Sequence, residues 1–372
     1  MSTLVKRKPM FPGAKRWERV EPRDVGFDAD RLNGAVAHAR GTEIGWPTDV
    51  GNMVGRNDPP PYDKPFGPTK PRGPASGAVV RAGCVAAEWG DPDRVDMTFS
   101  ATKSYRSTCV GLAVDRGMIK SVHDRVADYV GGDWFAGEHN GAITWEHLLQ
   151  QTSEWSGTLF GIPDTVDHNR SVQQGEPGAQ AKRQGEPRAL HPPGTDWEYN
   201  DVRVNMLGFA ALNVWREALP DVLAREIMEP IGATSTWQWH PYDDAYVEID
   251  GQRMPSVPGG AHWGGGLWIS ALDHARFGLL WLAQGVWEGR RVISQAWIEA
   301  ALTPCACNPR YGYMWWLNTD RVAWKNASSD AFAAQGAGGN VICVVPEHDL
   351  VVVTRWAGDV PGVVNRVIEA IE

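Results

Sequence analysis

No Gly-x-Ser-x-Gly segment occurs in the chain, which excludes the nucleophile elbow of an α/β-hydrolase. No His-Glu-x-x-His pair occurs, and Cys305-x-Cys307 has no second cysteine pair to complete a metal site. The ten histidines read as buried or surface side chains, so no metal is expected. The glycine clusters lack the spacing of a nucleotide loop, and no cofactor is expected. No apolar run reaches the roughly 18 residues that a membrane-spanning helix needs. Lys and Arg number 36 against 45 Asp and Glu, giving a net charge of -9. No basic patch is present to follow a phosphate backbone, so nucleic acid is not an expected partner. The five cysteines are an odd count, and the basic N-terminal residues have no apolar run behind them. The expectation is a cytoplasmic protein with reduced thiols.

Hydrophobic residues make up 42% of the chain and charged residues 22%, an ordinary balance for a globular protein of 372 residues. That length suits one large domain, or two that share a core. Nineteen tryptophans is a high count. Most read as packing, while Trp263, Trp268, Trp315 and Trp316 sit where they could line a cleft.

Residues 1–24 read as an extended arm. Apolar and small residues at helical spacing predict a first helix over 27–40. Residues 57–74 are proline-rich and predict a long surface loop. Residues 77–90 read as two strands around a turn at Ala82-Gly83. A helix follows from Ser100, ending at Gly117. Further helical stretches are expected over 124–149, 201–215, 220–228 and 273–282. Residues 173–194 contain Gln-Gly-Glu-Pro twice and read as a mobile loop near the site. Two β-branched runs, 340–346 and 350–354, predict a buried hairpin before a closing helix over 360–371. The order of elements suggests a mixed sheet built from both chain ends with a helical insertion between them. The expected division is an α/β sheet domain from 25–110 and 255–372, with a mainly helical insertion over 111–254.

Three segments carry chemistry. In Phe99-Ser100-Ala101-Thr102-Lys103, the lysine lies one helical turn after the serine, so its amine can take the hydroxyl proton and make a nucleophile. Tyr199, in Glu198-Tyr199-Asn200-Asp201, sits where a loop enters a helix and can present a phenol to a cleft. Gln335-Gly336-Ala337-Gly338-Gly339 precedes the terminal strands, and small residues there let a substrate approach backbone amides.

Together these segments resemble the serine β-lactamase-like hydrolases. That group includes class C β-lactamases, D-alanyl-D-alanine peptidases, family VIII esterases and 6-aminohexanoate-dimer hydrolases. Residues 144–153, Gly264–Asp273 and Val345-Pro346-Glu347 add to the likeness, which covers roughly residues 25–370. The resemblance implies the β-lactamase/penicillin-binding-protein-like α+β fold, an antiparallel sheet flanked by helices with a helical region beside it. It implies Ser100 as nucleophile, Lys103 as its proton acceptor and Tyr199 as general acid/base. The oxyanion would be held by the Ser100 amide and one amide from Ala337–Gly338.

Three departures accompany the likeness. The family's Tyr-Ser-Asn is Tyr199-Asn200-Asp201, which puts a carboxylate where the substrate usually meets an amide. Its Lys-Thr-Gly or His-x-Gly is Gln335-Gly336-Ala337, without a cation for a substrate carboxylate. Its Ser-Gly pair is replaced within Thr152-Ser153-Glu154. The expected activity is hydrolysis of a small ester or amide through an acyl-enzyme. A true β-lactamase or peptidase, and a catalytically silent scaffold, are the alternatives. Dimerisation stays open.

Overall fold

Two runs of β-branched residues near the end of the chain make the middle of the molecule. Residues 11–168 and 185–372 are described in the computed structural model. The main sheet contains β1 (Ser76–Arg81), β2 (Cys84–Trp89), β3 (Trp316–Leu317), β4 (Phe332–Gly336), β5 (Asn340–Val345) and β6 (Leu350–Arg355). The strands are antiparallel, in the order β3-β4-β5-β6-β1-β2. β5 and β6 are buried along their whole lengths, which explains why their apolar runs are unbroken: neither face meets water. The β1–β2 turn has Ala82 and Gly83 at φ of 52° and 78°, the left-handed pair that suits a two-residue hairpin.

Helices cover both faces of the sheet. α1 (Ala29–Gly41) and α5 (Val360–Glu369) pack Leu32, Ala35, Val363, Val364 and Val367 against one face. α2 (Thr102–Asp115) and α4 (Ala271–Leu282) belong to the larger core on the other, which continues into α3 (Asp201–Trp215). α4 lies close to the strands because residue 278 has no side chain. A Cβ there would fall 2.7 Å from Val351 Cγ1 and 2.8 Å from Ile342 Cγ2. α2 is surrounded, with every residue from Thr102 to Ala113 buried. It therefore carries polar side chains inward, Lys103 and Arg106 among them.

The expected first helix, hairpins and terminal helix are present within a few residues. The stretch 124–149 differs. It forms short turns and two brief helices, Gly137–Gly141 and Trp145–Gln150, the second capped reciprocally by Thr144 and His147. Gly132 and Gly137, each at φ 81°, take a conformation that interrupts any longer helix. Likewise the helix expected over 220–228 is regular only over Leu219–Leu223 and then widens over Ala224–Met228. Of the arm, residues 11–24 lie along the molecule, with Val20 N donating to Val85 O at 3.1 Å and Arg276 Nη2 to Gly13 O at 2.8 Å. Residues 173–184 of the expected loop lie outside the described residues. Among the described residues no helix is long and apolar enough to cross a membrane.

Gly278→Ala sets two effects against each other. Alanine favours the helix by about 1 kcal/mol, while the new methyl overpacks two branched side chains at a cost of about 1–3 kcal/mol. Neither Val351 nor Ile342 can swing aside as a long side chain would, so the clash wins. The expected result is a lower urea midpoint with an unchanged slope.

Candidate active site

The chain reaches the site through a forced turn. Asp96 and Met97 pair with Ile269 and Trp268, after which Phe99 adopts φ 51°. The 3₁₀ turn Phe99–Ala101 then feeds directly into α2. A non-glycine residue holds that conformation only where its surroundings fix it. Here Thr98 Oγ1 meets His274 Nε2 at 2.6 Å, and Arg355 Nη2 donates to Met97 O at 2.9 Å. The other His274 nitrogen meets the Tyr105 hydroxyl at 2.8 Å. Burial, and then the nearby Arg355 charge, hold His274 well below its ordinary pKa, so it packs as a neutral ring.

Ser100 is half-buried at the start of this helix. Lys103 Nζ lies 2.8 Å from Ser100 Oγ, as the spacing predicted. The same amine donates to Asp201 Oδ1, and the Lys103 and Asp201 side chains are only 2% and 3% exposed. Asp201, expected to meet the substrate, therefore faces the lysine. Its backbone N–H donates to Asp167 Oδ2. The Tyr199 ring completes the group, its centroid 4.6 Å from Lys103 Nζ. Trp316 stacks on that ring at 5.9 Å, with Tyr311 edge-on at 6.4 Å. Gly260 closes the remaining side. A Cβ there would lie 3.1 Å from Lys103 Nζ, 3.2 Å from Ser100 Oγ and 3.3 Å from Asp201 Oδ1. A side chain at 260 would crowd all three of these atoms.

The third segment passes next to Ser100. A Cβ on Gly336 would lie 2.1 Å from Thr98 O and 3.2 Å from Ser100 N, so only glycine lets β4 run this close to the turn. Ala337 follows and is exposed, while Gly338 turns at φ 78° toward Trp356. Asn340 Nδ2 donates to Ala337 O at 2.6 Å and fixes the turn. Gln335 lies on β4 opposite Val341, half-buried and uncharged.

Behind Tyr199 lies an ionic network that sequence reasoning missed. Buried Arg203 donates to Glu154 at 2.6 Å, Glu198 at 2.9 Å and Asp164 at 3.3 Å. Arg188 grips Glu154 with two bonds of 2.7 Å and approaches Glu198 at 3.1 Å. Burial alone would raise the Glu198 carboxyl, but a hydrogen bond from His168 and the Arg203 charge bring it down to about 2. Glu154 is likewise below its ordinary value, its burial outweighed by the Arg188 bond and the Arg203 charge. The only sequence signals were indirect. Glu154 stood in a departure from the family pattern, and Glu198 adjoined Tyr199. Nothing in the sequence marked His274 or Gly260.

One grouping of side chains that can ligate metal occurs among the described residues: Asp58, Asp167 and His262, whose donor atoms lie within 4.8 Å of one another. His262 Nε2 is 2.8 Å from Asp58 Oδ2. Two carboxylates and an imidazole suit a divalent cation. They equally suit the hydrogen-bonded arrangement seen, in which Asp167 also holds the Asp201 amide.

Comparison with known proteins bears on the fold and the family. A 6-aminohexanoate-dimer hydrolase of Paenarthrobacter ureafaciens is 28% identical over 238 residues, 60% of this chain and 56% of that protein. The match thus spans little more than half of that relative's length. A beta-lactamase of Mycobacterium bovis superposes with a TM-score of 0.54 at 20% identity, over 80% of this chain and 94% of its own. EstCE1, described as a hydrolase with promiscuous acyltransferase activity, superposes with a TM-score of 0.57 at 15% identity, over 92% and 97%. The Beta-lactamase family model matches residues 76–368, from the first strand of the sheet into the closing helix, and the chain belongs to that family.

Proposed function

We propose that this chain is a serine hydrolase that cleaves a small ester or amide through an acyl-enzyme. The observation that carries the reading is the 2.8 Å contact between Lys103 Nζ and Ser100 Oγ inside a buried, charge-compensated site. Lys103 passes the proton it shares with Asp201 to that carboxylate, and the freed amine takes the hydroxyl proton as Ser100 Oγ attacks the substrate carbonyl. The Ser100 N–H, with one amide from Ala337–Gly338, receives the oxyanion. Tyr199 gives a proton to the leaving alcohol or amine and takes one from the water that releases the acid.

The substrate's acyl group would be neutral. Gln335 supplies no cation for a carboxylate, and Tyr199, Tyr311 and Trp316 provide aromatic surface nearby. A 6-aminohexanoate-dimer hydrolase among the relatives supports an amide bond, and EstCE1 supports acyl transfer more broadly.

A fluorophosphonate should add once, on Ser100, with loss of fluoride, as read by intact mass and peptide mapping. No adduct would favour a silent scaffold. Ser100→Ala and Lys103→Ala should each lower turnover of a 4-nitrophenyl ester by roughly three orders of magnitude or more. Full activity in either variant would refute the assignment. On the same preparation, nitrocefin should be hydrolysed far more slowly than the ester. A faster nitrocefin rate would replace this reading with that of a true β-lactamase.

A further inference from the structure

We propose that Glu154, acting through Arg188, is a positioning residue for Tyr199, resting on the proton-transfer part assigned to that tyrosine above. Glu154 departs from ordinary chemistry in two ways. It is a buried carboxylate, 1% exposed, and its backbone is left-handed at φ 51°. Glycine takes that conformation without strain, and glutamate does not. Backbone shape alone therefore gives no reason for a glutamate at 154.

The side chain supplies the reason. Glu154 Oε1 accepts from Arg188 Nη2 at 2.7 Å and from Arg203 Nη1 at 2.6 Å. Oε2 accepts from Arg188 Nη1 at 2.7 Å and from the His191 N–H at 3.0 Å. Its carbonyl accepts from His139 Nε2 at 2.8 Å. One residue thus joins the stretch 188–191 to α3, whose Arg203 is on the first turn, and to the helix at 137–141.

Tyr199 lies in the segment so fastened. Gly194 N donates to Thr152 O at 2.7 Å and Glu198 N to Gln151 O at 3.1 Å. Asn200 N donates to Gln151 Oε1 at 3.1 Å. The tyrosine-bearing segment therefore runs along 151–154, with Glu154 at one end of the contact and the Asn200 cap at the other. Arg188 reaches both sides of it. Its fork holds Glu154, and its Nη2 lies 3.1 Å from Glu198 Oε2, one residue before Tyr199. Planar, two-pronged geometry makes this bond directional, which a lysine ammonium would not be. Arg188 is also the most exposed of the charged side chains in this network, with 20% of its side chain accessible, so it can be changed with least damage to the core.

A clamp that merely stabilises the fold would lower activity whatever stands at 199. A clamp that sets the phenol loses its effect once the phenol is gone. The test is a double-mutant cycle of Arg188→Ala with Tyr199→Phe on a 4-nitrophenyl ester, with Ser100 labelling by a fluorophosphonate measured in each variant. Arg188→Ala should lower kcat roughly 10- to 100-fold with KM within about threefold, since a small misplacement of a reacting group costs that much. In the Tyr199→Phe background the same change should cost less than about threefold. Labelling should remain one per chain in every variant. Arg188→Lys, a milder change in case the alanine variant melts without cooperativity, should fall between and show the same dependence on Tyr199. An equal loss in both backgrounds, no loss in either arginine variant, or lost labelling would overturn the proposal. A Tyr199→Phe protein as active as the parent would overturn it too. An inactive Ser100→Ala protein, together with intact Ser100 labelling in the arginine variants, would still leave the nucleophile assignment standing.

Discussion

One buried amine organises the site. Lys103 touches the hydroxyl of Ser100 and the carboxylate of Asp201, and neither charged side chain has access to bulk water. The two contacts are unequal. A hydrogen bond to a charged group contributes about 1.5–3 kcal/mol net, whereas removing one partner of a buried ion pair costs about 3–5 kcal/mol. Asp201 therefore sets where the amine rests, and the serine is brought to it by the helix. This arrangement makes the position of α3 as important as that of α2, since Asp201 is the first residue of α3. Asn200 caps that helix with bonds to Val202 N and Arg203 N at 3.1 and 3.2 Å, fixing its first turn beside Lys103.

The backbone around the amine is held under strain on several sides. Phe99, Gln151, Glu154, Met314 and Trp356 are all left-handed without being glycine. Each such residue costs on the order of 1–3 kcal/mol and persists only where neighbours over-determine it. Phe99 is pinned by the Thr98–His274 contact before it. Gln151 is held by its side chain, which donates to the Tyr311 hydroxyl at 2.7 Å while accepting from Asn200. Trp356 is held by an indole bond to Asp96 at 3.0 Å. The turn before Ser100 and the segment before Asp201 thus take their shape from packed side chains.

Much of this was legible in the sequence because short-range rules governed it. The Ser100–Lys103 contact follows from helical spacing, the β5–β6 hairpin from β-branched runs, and the first hairpin from Ala82-Gly83. What the sequence could not yield depends on distant partners. Asp201 was read as a substrate contact, because nothing local indicates that a residue 98 positions after Lys103 faces it. Arg203 reads as an ordinary polar position on an apolar helix until the three carboxylates around it are seen. Gly260 looks like any other of the chain's 41 glycines, and Gly336 was marked only as one of a run of small residues before the strands. Their meaning lies in what a Cβ would strike, which is a property of the assembled fold.

The two charge changes in the family pattern act together. Gaining Asp201 adds a negative charge, but Lys103 cancels it at close range, so little field escapes toward a substrate. Having Gln335 in place of a cation removes an attraction for substrate carboxylates that is worth a few kcal/mol, on the order expected for opposite charges near a protein surface. The site is left near neutral, with the stacked Tyr199 and Trp316 rings beside the amine. A near-neutral cleft cannot choose substrates by charge steering. Discrimination then falls to shape and apolar contact, where one methylene more or less changes binding by about 1–3 kcal/mol. On the proposed reading, such a site would rank neutral acyl groups by size, and would reject charged ones because burying them there would go uncompensated.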